Sequence, residues 1–261
     1  MISAVVKKRG IKTITTWFYD GTELNEPHDI VMHVEAIKKP ENVINKEFKT
    51  IVIDLSKNED DLYNNLDKQC KQEIRRALRD GIKYECLDSI DLKDEKLNKY
   101  IEFYNNFARK KNISDCEGEL LKELRDNNLL FISNASLNDD ILVCNIYVAD
   151  ETHSRHIYSA SLRYFSVNPN LVGRANRMLH WKDILYFKKR NIMIYDMGGI
   201  SYKEELINIT RFKLQFGGEE KNFYSYVQFK TLKGNLYNKS TNLIEKLFNR
   251  YEFYKKKKIN T

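Results

Sequence analysis

Apolar and polar positions alternate in two different rhythms along this chain. Residues 11–19, 30–36 and 48–55 are dense in β-branched and aromatic side chains, and Gly21, Pro27 and Pro40 break the gaps between them. That pattern predicts three strands. After Leu55 the period becomes helical. Leu62, Leu66, Cys70, Ile74, Ala77 and Leu78 share one face, and Ser56 and Glu59 have capping-box spacing. One helix is expected from about Lys57 to Gly81, acidic in its first turn and basic in its last, as the helix dipole favours. A strand follows over residues 82–87. Leu97, Ile101, Tyr104 and Ala108 then mark a second helix, and a short one is expected over residues 117–126. Three strands come next, over 129–137, 141–149 and 154–162. The polar turns Asn138-Asp139-Asp140 and Asp150-Glu151-Thr152 join them. A helix over about 175–190, a strand over 192–197, a helix carrying Arg211-Phe212-Lys213, a strand over 223–230 and a last helix over about 236–254 complete the chain.

Composition narrows the function classes. At 261 residues the chain can bury a substantial core. No apolar run approaches the roughly 20 residues that span a bilayer, and the start MISAVVKKRG is too briefly apolar to read as a secretory signal. The four cysteines, Cys70, Cys86, Cys116 and Cys144, include no Cys-x-x-Cys, so a reducing, cytoplasmic setting is expected. The net charge of +7 is carried by the C-terminal end, where residues 230–261 hold eight Lys and one Arg against two Glu. A packed helix with a solvated lysine end accounts for this. So does contact with a phosphate-rich partner such as tRNA, or peripheral contact with an anionic membrane at its inner face.

The stretch from Gly173 to Glu219 concentrates the candidate chemistry. A strand ends at Asp196 and the pair Gly198-Gly199. A helix then carries Arg211, Phe212 and Lys213 and stops at Gly217-Gly218. Asp196 can take a proton from an amine or bond the amides of the following turn. The glycines permit close backbone approach. The five histidines form no metal set, and no metal or tightly bound cofactor is expected. His153 and His156 lie three apart in a strand and so point to opposite faces. His180 stands beside Trp181 on the central helix and reads as a core or groove residue. Nothing resembles a Ser-His-Asp or Cys-His arrangement.

These residues resemble the FemABX family, the aminoacyl-tRNA-dependent peptidyltransferases of cell-wall synthesis. The resemblance rests on the strand ending in Asp-x-Gly-Gly and on the Arg-Phe-Lys-x-x-Phe-Gly-Gly segment. It extends to the basic helix, glycine and strand from Lys68 to Cys86 and to the stretch from Tyr100 to Ile113, covering about residues 48–230. The element order helix, helix, three antiparallel strands, helix, strand, helix, strand is that of the GNAT N-acyltransferase superfamily. The implied fold class is α+β, with a mixed, mostly antiparallel sheet and flanking helices. One complete GNAT domain over residues 89–232 would follow a reduced N-terminal GNAT-like subdomain over 1–88 and precede a C-terminal helix and basic tail over 233–261.

The resemblance also implies roles. Lys213 would face the ester carbonyl of the donor, and Phe212 would pack on the terminal adenosine of tRNA. Arg211, beside them, can pair with a donor phosphate or simply cap the surface. Gly173, Arg174 and Ala175 partly match the loop with which CoA-binding GNAT enzymes cradle pyrophosphate, though Asn170 replaces the usual Arg or Gln. The donor is therefore aminoacyl-tRNA or a CoA thioester. Tyr158, Ser159 and Ser161 lie on the strand that borders the cleft in GNAT folds and would contact the acceptor. The expected activity is amide formation on a cell-envelope precursor, on a peptide amine or an amino sugar. The aminoacyl-tRNA reading leads. CoA-dependent acylation of an amino sugar in surface-polysaccharide synthesis is the alternative, and a non-catalytic binding module is the third.

Overall fold

The computed structural model describes residues 1–24, 27–165, 168–242 and 244. The elements are β1 (Ile2–Lys8), β2 (Ile11–Trp17), β3 (Ile30–Ala36), β4 (Asn45–Asp54), α1 (Glu59–Asn64), α2 (Lys68–Arg79), β5 (Lys83–Asp88), α3 (Asp94–Lys111), α4 (Gly118–Asp126), β6 (Leu130–Leu137), β7 (Asp140–Ala149), β8 (His153–Ser161), α5 (Pro169–Lys189), β9 (Ile194–Ile200), α6 (Ile207–Leu214), β10 (Glu219–Phe229) and α7 (Leu232–Thr241). The strands form one sheet in the order β1-β2-β3-β10-β4-β9-β8-β7-β6-β5. Only the β2–β3 and β8–β9 pairs among these are parallel, so the fold is the expected α+β one, with a mixed and mostly antiparallel sheet.

The sheet curls strongly. β3 and β8 are separated in the sheet by β10, β4 and β9, yet Glu35 of β3 forms an ion pair with Arg155 of β8, and the Phe18 and His153 rings lie 4.5 Å apart. The concave side holds a core of β1–β3 residues such as Ile2 and Trp17, packed with Leu97, Tyr100 and Leu121 of α3 and α4. On the other face α1, α2 and α5 cover β4, β7 and β9 through Leu62, Ile74, Phe187 and Tyr195. The two halves of the chain thus share their cores. β10, from the C-terminal part, pairs with both β3 and β4 of the first 88 residues.

Several boundaries differ from the sequence reading. The helix expected over 57–81 is two helices. Asn58, not Ser56, caps the first, accepting from the Asp61 amide at 2.8 Å, and Asp67 caps the second, accepting from the Gln69 amide at 2.8 Å. An Asp at that point offers the backbone a local partner that ends one helix and begins the next. α5 begins at Pro169 rather than near Ala175, because Asn168 caps it and proline suits the first turn. β1, unread in the sequence, is a seven-residue strand antiparallel to β2. The last helix runs from Leu232 to Thr241 and is not the continuous one expected over 236–254, because Asn242 caps it in the left-handed region at φ +49°; residues 243 and 245–261, with the lysine run 255–258, lie outside the described residues. No helix among the described residues is long and apolar enough to cross a membrane.

Candidate functional site

β8 and β9 run parallel but pair only at their first residues, His153 with Ile194, Ser154 with Tyr195 and Arg155 with Asp196. Beyond that point each pairs only with its other neighbour, β8 with β7 and β9 with β4, and a fork opens between them. A bulge in β8 lies at the same level, where the register against β7 shifts between Ile146 and Tyr147. Bulges re-aim side chains beside such openings. The carbonyl groups of His156, Met197 and Gly199 stand along the two arms of the fork.

Four charged side chains converge at its base. Glu35 and Asp196 are fully buried, Arg155 and Lys213 nearly so. The Arg155 guanidinium pairs with Glu35, lies 3.5 Å from the Asp196 carboxylate, and donates to the His156 carbonyl at 3.0 Å. Asp196 Oδ1 accepts from the Gly198 amide at 2.6 Å. Lys213 Nζ donates to the Gly199 carbonyl at 2.9 Å. Two cations facing two carboxylates balance formally, which is what burial of charge demands. Burial pushes the Lys213 ammonium down to about 7, helped by the Arg155 charge and opposed by Asp196 and Glu35. Burial likewise raises the Glu35 carboxyl above its ordinary range, against the pull of Arg155. A lysine that changes charge near neutrality, pressed against a backbone fork, is a feature of functional sites.

Gly198 makes the arrangement possible. Its φ is +87°, and a Cβ there would stand 2.4 Å from Arg155 Nη1 and 3.3 Å from Lys213 Nζ. The second diglycine serves α6. Gly217 has φ +73°, and a Cβ would lie 2.5 Å from the Asn65 carbonyl. That close approach seats the helix carrying Lys213 against the α1–α2 junction.

A second polar cluster lies under α5. Asp183, fully buried, accepts from Tyr147 at 2.6 Å, from Tyr84 at 3.1 Å and from Asn145 at 3.2 Å. Tyr147 and Tyr195 are joined at 2.8 Å, and Tyr195 meets His180 Nδ1 at 2.7 Å. The His180 and His156 rings meet edge to face with centroids 5.2 Å apart. Burial pushes both imidazoles down, His180 to about 3.

The structure gathers some of the residues singled out in the sequence and separates others. Lys213 and Asp196 meet at the fork. Phe212 is half-buried between the His180 and Phe216 rings, with the Arg177 guanidinium 5.3 Å from its centroid. Arg211 is exposed. Gly173, Arg174 and Ala175 lie inside α5, past its first turn. Ala175 is fully buried, and Arg174 pairs with Asp80 at 2.8 Å. Tyr158 faces α3, its ring 4.8 Å from that of Tyr104, and its hydroxyl accepts from the Glu117 amide. Ser159 and Ser161 stand opposite Asn145 and Val143, which belong to the α5 side, so the three do not share a face. His153 and His156 take opposite faces, against Phe18 and Tyr147 respectively.

Glu35 and Arg155 escaped the sequence reading. Their signal was present, since Glu35 interrupts the run Ile30–Ala36, buried throughout, and a charge inside such a strand needs a partner. Among the described residues no cluster of three or more His, Cys, Asp or Glu is arranged to hold a metal ion.

No family model matches the sequence, and no curated protein matches it. The likeness is to solved structures, and it is one of fold. The chain superposes on FemX with a TM-score of 0.56 at 14% identity, over 77% of this chain and 65% of FemX, so it spans less than two thirds of that protein. It superposes on the C-terminal domain of a putative lysylphosphatidylglycerol synthetase from Agrobacterium fabrum with a TM-score of 0.57 at 9% identity, over 92% of this chain and 88% of that domain. L-PGS from Bacillus licheniformis gives 0.52 at 11% identity, over 82% and 72%.

Proposed function

We propose that this protein is an acyltransferase that forms an amide on an amine of a cell-envelope precursor, with aminoacyl-tRNA as donor. The reaction needs an activated acyl carbon held near an amine and a charge or dipole where the oxyanion develops. The observation that carries the reading is Lys213, buried at the β8–β9 fork with Nζ on the Gly199 carbonyl. As an ammonium it stabilises the oxyanion of the tetrahedral intermediate. Arg155, Asp196 and Glu35 hold it there and balance its charge.

The start of α5 favours an ester donor over a CoA thioester. A pyrophosphate needs free amides at a helix N-terminus. Here the first residue is proline, and the Asn170 amide is taken by the Asn168 side chain at 3.0 Å. The Val172 amide bonds the Asn168 carbonyl, and Gly173 and Ala175 lie past the first turn, where amides serve the helix itself.

The test is transfer of a labelled amino acid from charged tRNA to envelope precursors bearing peptide amines or amino sugars, wild type against Lys213→Ala. Transfer that falls about 10²–10³-fold in the variant supports the reading. A parallel arm measures thermal unfolding with millimolar acetyl-CoA. A ligand at about a hundred times its Kd adds about 2.7 kcal/mol, and a shift of that size would replace the tRNA donor with a thioester.

A further inference from the structure

The two imidazoles at the fork are both held in one tautomer by groups that leave no choice. The Met197 carbonyl can only accept, so His156 Nδ1, 3.3 Å away, carries the proton and donates it. For His180 the assignment runs through three hydroxyl and carboxyl groups. Asp183 accepts from the Asn145 amide, which can only donate, and from the Tyr84 hydroxyl, so it stands as the acceptor of the cluster. Tyr147 gives its one hydroxyl proton to Asp183, Tyr195 must then give its own to Tyr147, and the Tyr195 oxygen is left to accept from His180 Nδ1–H. Each neutral ring therefore presents a bare Nε2 lone pair. That of His156 is buried and has no hydrogen-bond partner in the protein, and a buried acceptor left unmet disfavours the folded state.

Folded proteins keep such costs where a ligand meets them. Two neighbouring donors are engaged elsewhere: Arg155 Nη1 bonds the His156 carbonyl, and Lys213 Nζ bonds the Gly199 carbonyl. What suits a buried lone pair beside a developing acyl site is an N–H of an uncharged amine. An ammonium could bring a donor as well, but it has no lone pair with which to attack.

We propose that His156 Nε2 accepts a hydrogen bond from the neutral primary amine of the acceptor and aims that amine's lone pair at the acyl carbon, and that the Asp183–Tyr147–Tyr195 chain holds His180 in the matching tautomer beside it. The imidazole takes the hydrogen bond and not the proton: as the C–N bond forms and the ester C–O bond breaks, one amine proton leaves with the ribose oxygen as its hydroxyl. His156 is thus a substrate-binding residue and His180 a positioning one. This rests on the acyl-transfer reading above.

The experiment uses the full chain with ¹⁵N-labelled histidine. Imidazole nitrogen shifts are expected to report Nδ1–H for both residues. Tyr195→Phe is expected to release His180 into mixed tautomers and leave His156 unchanged. Glucosamine, at a pH where most of its amine is neutral, is expected to move the His156 Nε2 resonance, and N-acetylglucosamine is not. A proton found on His156 Nε2, or an Nε2 resonance that responds to neither sugar or equally to both, overturns the proposal. In the transfer assay His156→Ala is expected to lose about 10²-fold in kcat/KM for the amine, the cost of a misaimed nucleophile. His156→Gln, whose side-chain oxygen can stand where Nε2 stood, is expected to recover most of it. Loss in Lys213→Ala with full activity in His156→Ala overturns this proposal and leaves acyl transfer standing. Absence of transfer in wild type overturns acyl transfer, and the nitrogen shifts then decide the amine site independently.

Discussion

At the scale of single residues, Lys213 is expected to control the pH behaviour. Its folded-state value is depressed to about 7, so the ammonium proposed to stabilise the oxyanion is present below that pH and lost above it. The acceptor amine works in the opposite sense, since it attacks only when deprotonated. The pH profile of kcat/KM is therefore expected to be bell-shaped, with a falling limb near pH 7 that disappears in Lys213→Ala; a falling limb that survives the substitution would assign it to another group. Gly198 sets the tolerance of the site. Gly198→Ala places a Cβ against Arg155 Nη1 in a backbone region of positive φ, and a destabilisation of at least about 1–3 kcal/mol is expected, read as a lower urea midpoint. Lys213, Asp196 and both diglycines were legible in the sequence because they fall within one short motif. Glu35, Arg155 and Asp183 were not, because each acquires its partner from a strand or helix distant in sequence, such as the 120 positions from Glu35 to Arg155. Chain order carries no trace of the curl that brings β3 onto β8.

At the scale of elements, the sequence period gave the type of nearly every helix and strand but not where they break. A continuous apolar face from Leu62 to Leu78 hid the junction at residues 65–67, because Leu66 stays buried and keeps the stripe intact across the break. The caps decide the matter. Asp67→Ala is expected to cost α2 about 1 kcal/mol, visible as a lower denaturant midpoint with an unchanged slope. β1 went unread for the opposite reason: its residues alternate between buried and exposed for only a few positions before three basic residues, too short a run to register against a charged background.

At the scale of the whole molecule, a division at residue 88 cuts a single sheet. β10 lies between β3 and β4, and the concave core mixes Ile2, Trp17 and Phe48 with Leu97, Leu121 and Phe223. A fragment of residues 89–261 would expose two open edges of β10 and lose the part of that core that runs from Ile2 to Leu87. It is expected to show no cooperative unfolding transition and to aggregate, as measured by circular dichroism and size-exclusion chromatography; a soluble, cooperatively folding fragment would establish the C-terminal part as independent. The length of the chain allowed a substantial core, but the sequence reading divided it at residue 88, because the insertion of β10 depends on pairing that local pattern does not encode.

The place of β10 also bears on how the protein is made. Its neighbours β3 and β4 are finished by Asp54, but the strand that fits between them ends at Phe229. Ribosomes add about 5–20 residues each second, so these two strands wait roughly 9–35 s with an edge unmet. Unpaired edges of this kind invite pairing with other chains. Nascent copies on one messenger are therefore most exposed to mutual misassembly in that interval, and a slowed ribosome between α1 and β10 would lengthen it.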